Sequence, residues 1–230
     1  MLVRDRAGGG IDTYMARRSA RSTFMPDAYV FPGGALEPGD VEPAVLARLD
    51  GPPPTIAPTF VVAAIRELFE EAGILLARGR DGSLLDAAGV AAATEAARGT
   101  TFAQMLERCG LRLAGDELAY YSNWITPPVE VARRFDAHFF VALAPAGQIA
   151  VADAVELHDG LWLAPAEALA RGERGEIALV YPTVKHLERL AKFDDTAALL
   201  THARERRPFP VMPGVTAAGE IFMPPETEAW

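Results

Sequence analysis

The segment TFVVAAIRELFEEAGILL, residues 59–76, constrains this chain more than any other stretch. Its apolar residues recur at helical spacing, and Gly73 followed by apolar Ile74, Leu75 and Leu76 marks where the helix ends. At about 100° per residue, with Glu67 as the origin, Glu70 falls near −60° and Glu71 near +40°. Val61, Ile65, Leu68, Phe69 and Ala72 lie on the opposite side, between about 100° and 200°. One face belongs to a core and the other carries three carboxylates. Crowding of like charge costs free energy, and a divalent cation with a preference for oxygen is the simplest compensation. Arg66, four residues before Glu70, is placed to brace it. The same cluster also reads as a solvated acidic face.

The rest of the chain alternates strand and helix signals without internal repeats. MLVRDR and DTYMARRS read as strands joined at Gly8–Gly10, and AYVF as a third. Residues 41–58 contain Pro52, Pro53, Pro54 and Pro58, which deny a continuous helix and predict an inserted surface loop. Residues 84–118 are alanine-rich and predict a small helical elaboration. AYYSNWIT, AHFFVALA and GLWLA read as strands, APAEALA and PTVKHLERLAKF as helices. Mixed strands flanked by helices predict an α/β layered fold, with one domain over residues 1–207 and a tail over 208–230.

A second feature precedes the helix. In YVFPGGALEPGD an apolar strand, Tyr29–Phe31, runs into Gly33 and Gly34, with Glu37 and Asp40 just beyond. Adjacent glycines allow unusual backbone angles and close approach. The stretch is either a plain turn or one whose carbonyls and carboxylates hold a cation.

GGALEPGD and RELFEEAGI together resemble the box of the Nudix hydrolase family. Gly34 matches its opening glycine, Asp40 stands where glutamate is usual, and Arg66, Glu67, Glu70, Glu71 and Gly73 complete it. Between Asp40 and Arg66 stand 25 residues where seven are usual, an insertion of 18. A box split in this way resembles the branch that includes the peroxisomal coenzyme A diphosphatases of mammals. FMPDAYVFPGGAL, AAIRELFEEAGILL, SNWITP and RRFDAHFFVA extend the likeness over roughly residues 1–195.

The resemblance implies an α/β/α sandwich with a mixed, curved sheet. It also implies a divalent cation, Mg²⁺ or Mn²⁺, held by Glu67, Glu70 and Glu71, with the Gly33 carbonyl and Glu156 as further ligands. Glu70 and Glu71 come first as ligands, and Glu67 or Glu156 as the general base. Arg66 is grouped with the catalytic residues, Asp40 takes a supporting role, and Glu37 is peripheral. The implied reaction cleaves a nucleoside diphosphate linked to another group, with coenzyme A or acyl-coenzyme A as the leading substrate. ADP-ribose, NADH or a dinucleotide sugar is the alternative, and a non-catalytic nucleotide sensor the alternative of another class. Arg17, Arg18 and Arg21, and Arg133 and Arg134, form two candidate phosphate forks.

Composition narrows partners more than chemistry. A net charge of −9 argues against a broad nucleic-acid or anionic-membrane surface. No apolar run reaches the roughly 18 residues of a membrane span. The single cysteine, Cys109, excludes an internal disulfide and fits a cytoplasmic, reducing setting. The four histidines, His138, His158, His186 and His202, lack paired metal spacing. A nucleotide-type small molecule is the expected partner, and self-association as a homodimer is left open.

Overall fold

Neighbouring residues of the same strands serve two separate cores: Leu2 and Val3, Tyr14 and Met15, Tyr120 and Tyr121, Phe140 and Val141 divide between them. This is the two-residue period of a sheet covered on both faces. The structure is a computed structural model that describes residues 1–22, 25–128, 134–216, 218–227 and 230.

In chain order it runs β1 (Leu2–Asp5), β2 (Ile11–Arg18), β3 (Ala28–Val30), a 3₁₀ turn (Pro38–Val41), α1 (Pro43–Leu46), β4 (Leu49–Asp50), α2 (Pro58–Ala72) and β5 (Ala77–Arg78). It continues through α3 (Ala87–Ala97), α4 (Phe102–Cys109), β6 (Arg112–Ala114), β7 (Ala119–Ile125), β8 (Asp136–Leu143) and β9 (Leu157–Leu163). It ends with α5 (Pro165–Glu173), β10 (Ala178–Leu179), α6 (Tyr181–Leu190), α7 (Thr196–Glu205), β11 (Pro210–Val211) and a short hairpin of β12 (Gly214–Val215) and β13 (Ile221–Phe222).

The main sheet has the order β10-β3-β2-β1-β8-β7-β11, with β9 also paired to β2. It is mixed: β1–β8, β3–β10 and β7–β11 are parallel, the other pairs antiparallel. Residues of α2, α3 and α4 cover one face, and residues of α6 and α7 the other. The expected α/β/α sandwich is therefore present. The β1–β2 connection needs its glycines, because Gly8, Gly9 and Gly10 all have φ between 83° and 98°. Among the described residues no helix is long and apolar enough to cross a membrane.

Helix α2 matches its expected bounds. Proline at its first turn needs no donor, and Gly73 ends it in the left-handed conformation at φ 65°. Val61, Val62, Ile65, Leu68, Phe69 and Ala72 are buried, as the wheel requires.

Three regions differ from expectation. Within 41–58 the prolines do prevent a long helix, but the stretch is more than surface loop. Val45 is 1% exposed in the core beneath α2, and β4 pairs in parallel with β6. The region 84–118 forms α3 and α4, started by Asp86 and by a Thr101–Gln104 capping box; β6 then returns it to sheet before a 3₁₀ turn, Gly115–Glu117. The tail beyond 207 supplies β11 to the sheet edge, and Trp230 packs edge-on to Trp124 at 4.8 Å beneath the Arg189 guanidinium. Helix α7 was missed, although Asp195 caps it by accepting from Ala198 N at 2.7 Å.

Candidate functional site

The turn after β3 and the helix α2 meet at Arg66, which is only 3% exposed. Its Nε donates to Asp40 Oδ1 at 2.8 Å, and its Nη2 to Asp40 Oδ2 at 2.9 Å and Ala35 O at 3.0 Å. Its Nη1 donates to Glu67 Oε1 at 2.8 Å and Glu70 Oε2 at 2.9 Å. A guanidinium has five N–H groups, and all five are used. Burial opposes the charge, yet the bonds to Asp40 and the charge of Glu67 outweigh it and raise the Arg66 pKa. Asp40 Oδ2 also accepts from Glu37 N at 2.8 Å, so the backbone just beyond the glycine turn is tied to the same pair. Arg66, expected among the catalytic residues, thus has all five donors engaged within the protein. Asp40, given a supporting role by the sequence, accepts two of these bonds.

Glu71 projects from the next turn and is 6% exposed. Its Oε2 accepts from Gly33 N at 2.6 Å. Burial pushes its pKa up to about 8, with the charges of Glu67 and Glu156 adding and the Gly33 amide and Arg18 opposing. Glu67 is also raised, first by burial, while Arg66 opposes and Glu70 and Glu156 add. Gly34 lies against Glu67: a Cβ there would sit 2.7 Å from Oε2, so only glycine fits without moving the carboxylate. Glu70 is the outermost of the three, with its side chain 49% exposed.

Glu156 joins this set through a loop fastened to the end of α2. Val151 N donates to Ala72 O at 2.9 Å, and Asp153 N to Glu71 O at 3.2 Å. The Asp153 carboxylate accepts from Glu156 N at 3.0 Å and Leu157 N at 2.8 Å. Ser19 N, just past β2, donates to Glu156 O at 2.8 Å. Sequence reading missed Asp153. Its only signal was an aspartate able to bond the backbone three and four residues on.

The arginines divide. Arg17 is spent on Asp159 and Asp27 at 2.9 Å each, at the surface. Arg18 holds Ser22 Oγ at 2.9 Å and its charge is felt at Glu71. Arg21 is exposed. Arg134 is exposed and reaches Thr126 O at 3.2 Å, and Arg133 lies outside the described residues.

Among the described residues no three of His, Cys, Asp or Glu converge on one cation position. Arg66 draws Glu67 and Glu70 sideways, while the Gly33 amide draws Glu71. Gly33 meets the site through its N–H, which donates to Glu71. The donor chemistry still fits a hard divalent ion, because Glu67, Glu71 and Glu156 bring only oxygen ligands and repel one another in a partly dehydrated setting.

Comparison with known proteins bears on this arrangement. The sequence profile described as the NUDT19 Nudix domain matches residues 53–190, which includes α2 and Glu156. A protein named acyl-coenzyme A diphosphatase NUDT19 from Gallus gallus is 32% identical over 83% of this chain and 64% of its own length. Its namesake from Homo sapiens is 29% identical over 80% of this chain and 61% of its own. The chain thus spans about three fifths of the length of these relatives. A crystal structure of a Nudix hydrolase from Alicyclobacillus acidocaldarius matches with a TM-score of 0.75 and 28% identity, over 87% of this chain and 92% of that one.

Proposed function

The chain belongs to the Nudix hydrolase family, and from that premise we propose that it hydrolyses a diphosphate bond in a nucleoside diphosphate linked to another group, coenzyme A or acyl-coenzyme A first among them. The observation that carries this reading is the rejoined box. Asp40 and Arg66, separated by the insertion, are bonded to each other, Arg66 also holds Glu67 and Glu70, and Glu71 is bonded to the glycine turn.

A bound Mg²⁺ or Mn²⁺ supplies charge neutralisation on the diphosphate and a lower pKa for an attacking water. Glu70 and Glu71 are the first residues we assign to holding it. The proton released when water adds to phosphorus, as the bridging oxygen leaves with the other half, needs a carboxylate acceptor. Glu67 Oε1 is engaged by Arg66, whereas Glu156 is exposed and outside that bonding set. We therefore assign the base to Glu156, with Glu67 as second choice.

The relatives named acyl-coenzyme A diphosphatase support the substrate choice. Coenzyme A would be cut to adenosine 3′,5′-bisphosphate and 4′-phosphopantetheine, and its 3′-phosphate needs a cation. Arg18 and Arg21 on one side and Arg134 on another are suitable, whereas Arg17 is already paired. The lone, half-buried Cys109 suits a reducing, cytoplasmic setting.

The decisive experiment is hydrolysis with Mg²⁺ or Mn²⁺ across coenzyme A, acyl-coenzyme A, NADH and ADP-ribose. Highest kcat/KM on the coenzyme A compounds supports the reading, and highest kcat/KM on ADP-ribose or NADH replaces the substrate. Binding without turnover on every member makes the domain a sensor.

A further inference from the structure

One polar cluster remains outside the carboxylate site. Strands β7 and β8 pair with Asn123 opposite His138, so these two residues share a face with Asp136, two positions from His138. Asn123 Nδ2 donates to Asp136 Oδ1, and Tyr120 OH bonds His138 Nδ1 at 2.9 Å. His138 lies against Phe60 of α2, ring centres 4.2 Å apart and planes tilted by 48°. The cluster runs from interior to surface: Tyr120 is 7% exposed, the His138 side chain 14% and that of Asp136 63%.

Its position relative to the carboxylates follows from α2. Phe60, Ala64, Glu67 and Glu71 stand at i, i+4, i+7 and i+11, which makes one stripe along the helix. Phe60 is about 10 Å from Glu67 along the axis, two helical turns. Between them the half-buried Ala64 offers only a methyl group, so the stripe is low there. A nucleoside diphosphate with its phosphates at Glu67 and Glu71 and its nucleoside running toward the start of α2 would set its sugar over Ala64 and its base at Phe60.

The chemistry of the cluster selects what fits. Burial holds His138 below the ordinary imidazole pKa, so at neutral pH it adds no cation for a phosphate. Phe60 offers an apolar aromatic ring, with the neutral imidazole of His138 beside it. Asp136 carries an exposed carboxylate, which repels anions; its Oδ1 accepts from Asn123 and lies 3.7 Å from His138 Nε2, and its Oδ2 is the acceptor that matches an N–H donor. We infer that Phe60, His138 and Asp136 form a base subsite of the same site, taking a nucleobase with an exocyclic amine, adenine first among them. This rests on the reading of the carboxylates as the diphosphate site.

The test separates the two. Binding of AMP and of IMP is measured by calorimetry with Mg²⁺, since hypoxanthine presents an acceptor where adenine presents an amine. The protein should bind AMP about tenfold more tightly, the effect of one well-made polar contact. Asp136→Asn puts a donor beside an acceptor on an exposed side chain and should erase or reverse that ratio, which a merely structural role would not move. Phe60→Leu keeps an apolar contact but removes the ring, and should weaken both nucleotides while preserving the ratio. Equal binding of AMP and IMP by the unmodified protein, or an unchanged ratio in Asp136→Asn, overturns the subsite. Discrimination between bases with no diphosphate hydrolysed anywhere keeps the subsite and removes the proposed reaction. Equal kcat/KM on NADH and its hypoxanthine analogue keeps the reaction and removes the subsite.

Discussion

Asp40 and Arg66 are separated by 25 residues of sequence and share two hydrogen bonds of 2.8 and 2.9 Å, with their side chains 1% and 4% exposed. Removing one partner of such a pair leaves the other charge buried without compensation. The pair also fixes how the glycine turn faces α2, since Arg66 holds Ala35 O and Asp40 holds Glu37 N. The insertion can lengthen the chain between the two halves without disturbing the site, because its two ends are clamped together.

Asp40→Ala should therefore cost about 3–5 kcal/mol of stability. It should also lower kcat/KM by more than tenfold, because Arg66 would swing further onto Glu67 and Glu70. Urea unfolding and steady-state kinetics read the two effects. Full activity in a folded Asp40→Ala protein would show that the turn holds its place without the clamp.

Gly34→Ala tests the close approach of turn and helix. The added Cβ meets the Glu67 carboxylate, which must rotate away from Arg66. Overpacking of this kind costs about 1–3 kcal/mol. Turnover should fall far more than the unfolding midpoint, and a weaker Mg²⁺ dependence should accompany the loss. An unchanged Mg²⁺ titration would place Glu67 outside the metal-binding set.

Glu71→Gln separates binding from folding. A buried carboxylate beside Glu67 and Glu156 is unfavourable without a cation, and a neutral amide can still accept from Gly33 N. In chelator the variant should melt higher than the parent by about 2–4 °C for each kcal/mol relieved. Added Mg²⁺ should raise the melting temperature of the parent but not of the variant, and hydrolysis should be lost. A variant that melts lower in chelator would mean that the carboxylate is structurally required.

What the sequence made legible follows from which signals are local. The wheel of α2 separated the buried Ile65 and Ala72 from Glu67, Glu70 and Glu71, and Gly73 fixed the helix end. The split motif told which residues belong together, but not that Arg66 would saturate its five donors. That depends on Asp40 and Ala35 arriving from a distant segment. Arg17 illustrates the reverse. It read as a phosphate fork, yet Asp159, 142 residues away, takes it. The burial of Val45 and the pairing of β4 were hidden because a proline-rich stretch shows no periodicity, although single residues of it reach the core.

His186 makes acid stability a measurable property of the second core. Its Nδ1 faces Pro182 O at 2.6 Å and must carry the proton, because a carbonyl can only accept. Its Nε2 therefore accepts from Ser122 Oγ, also at 2.6 Å, and the ring is neutral between Phe139 and Trp230. Burial pushes its pKa down to about 3, with the Pro182 bond opposing and the chain amino group and Arg189 adding. The unfolded chain takes up a proton at this histidine below about pH 6.5, whereas the folded chain refuses it until about pH 3. Stability from this group is complete above pH 6.5 and falls by about 1.4 kcal/mol per pH unit as the pH drops through that window. Between pH 6.5 and 5 the loss is about 2 kcal/mol. Unfolding by urea at both pH values should show it in the parent and not in His186→Gln, where the remaining acid sensitivity comes from other groups. Identical losses in the two proteins would mean that the imidazole does not stay neutral in the fold.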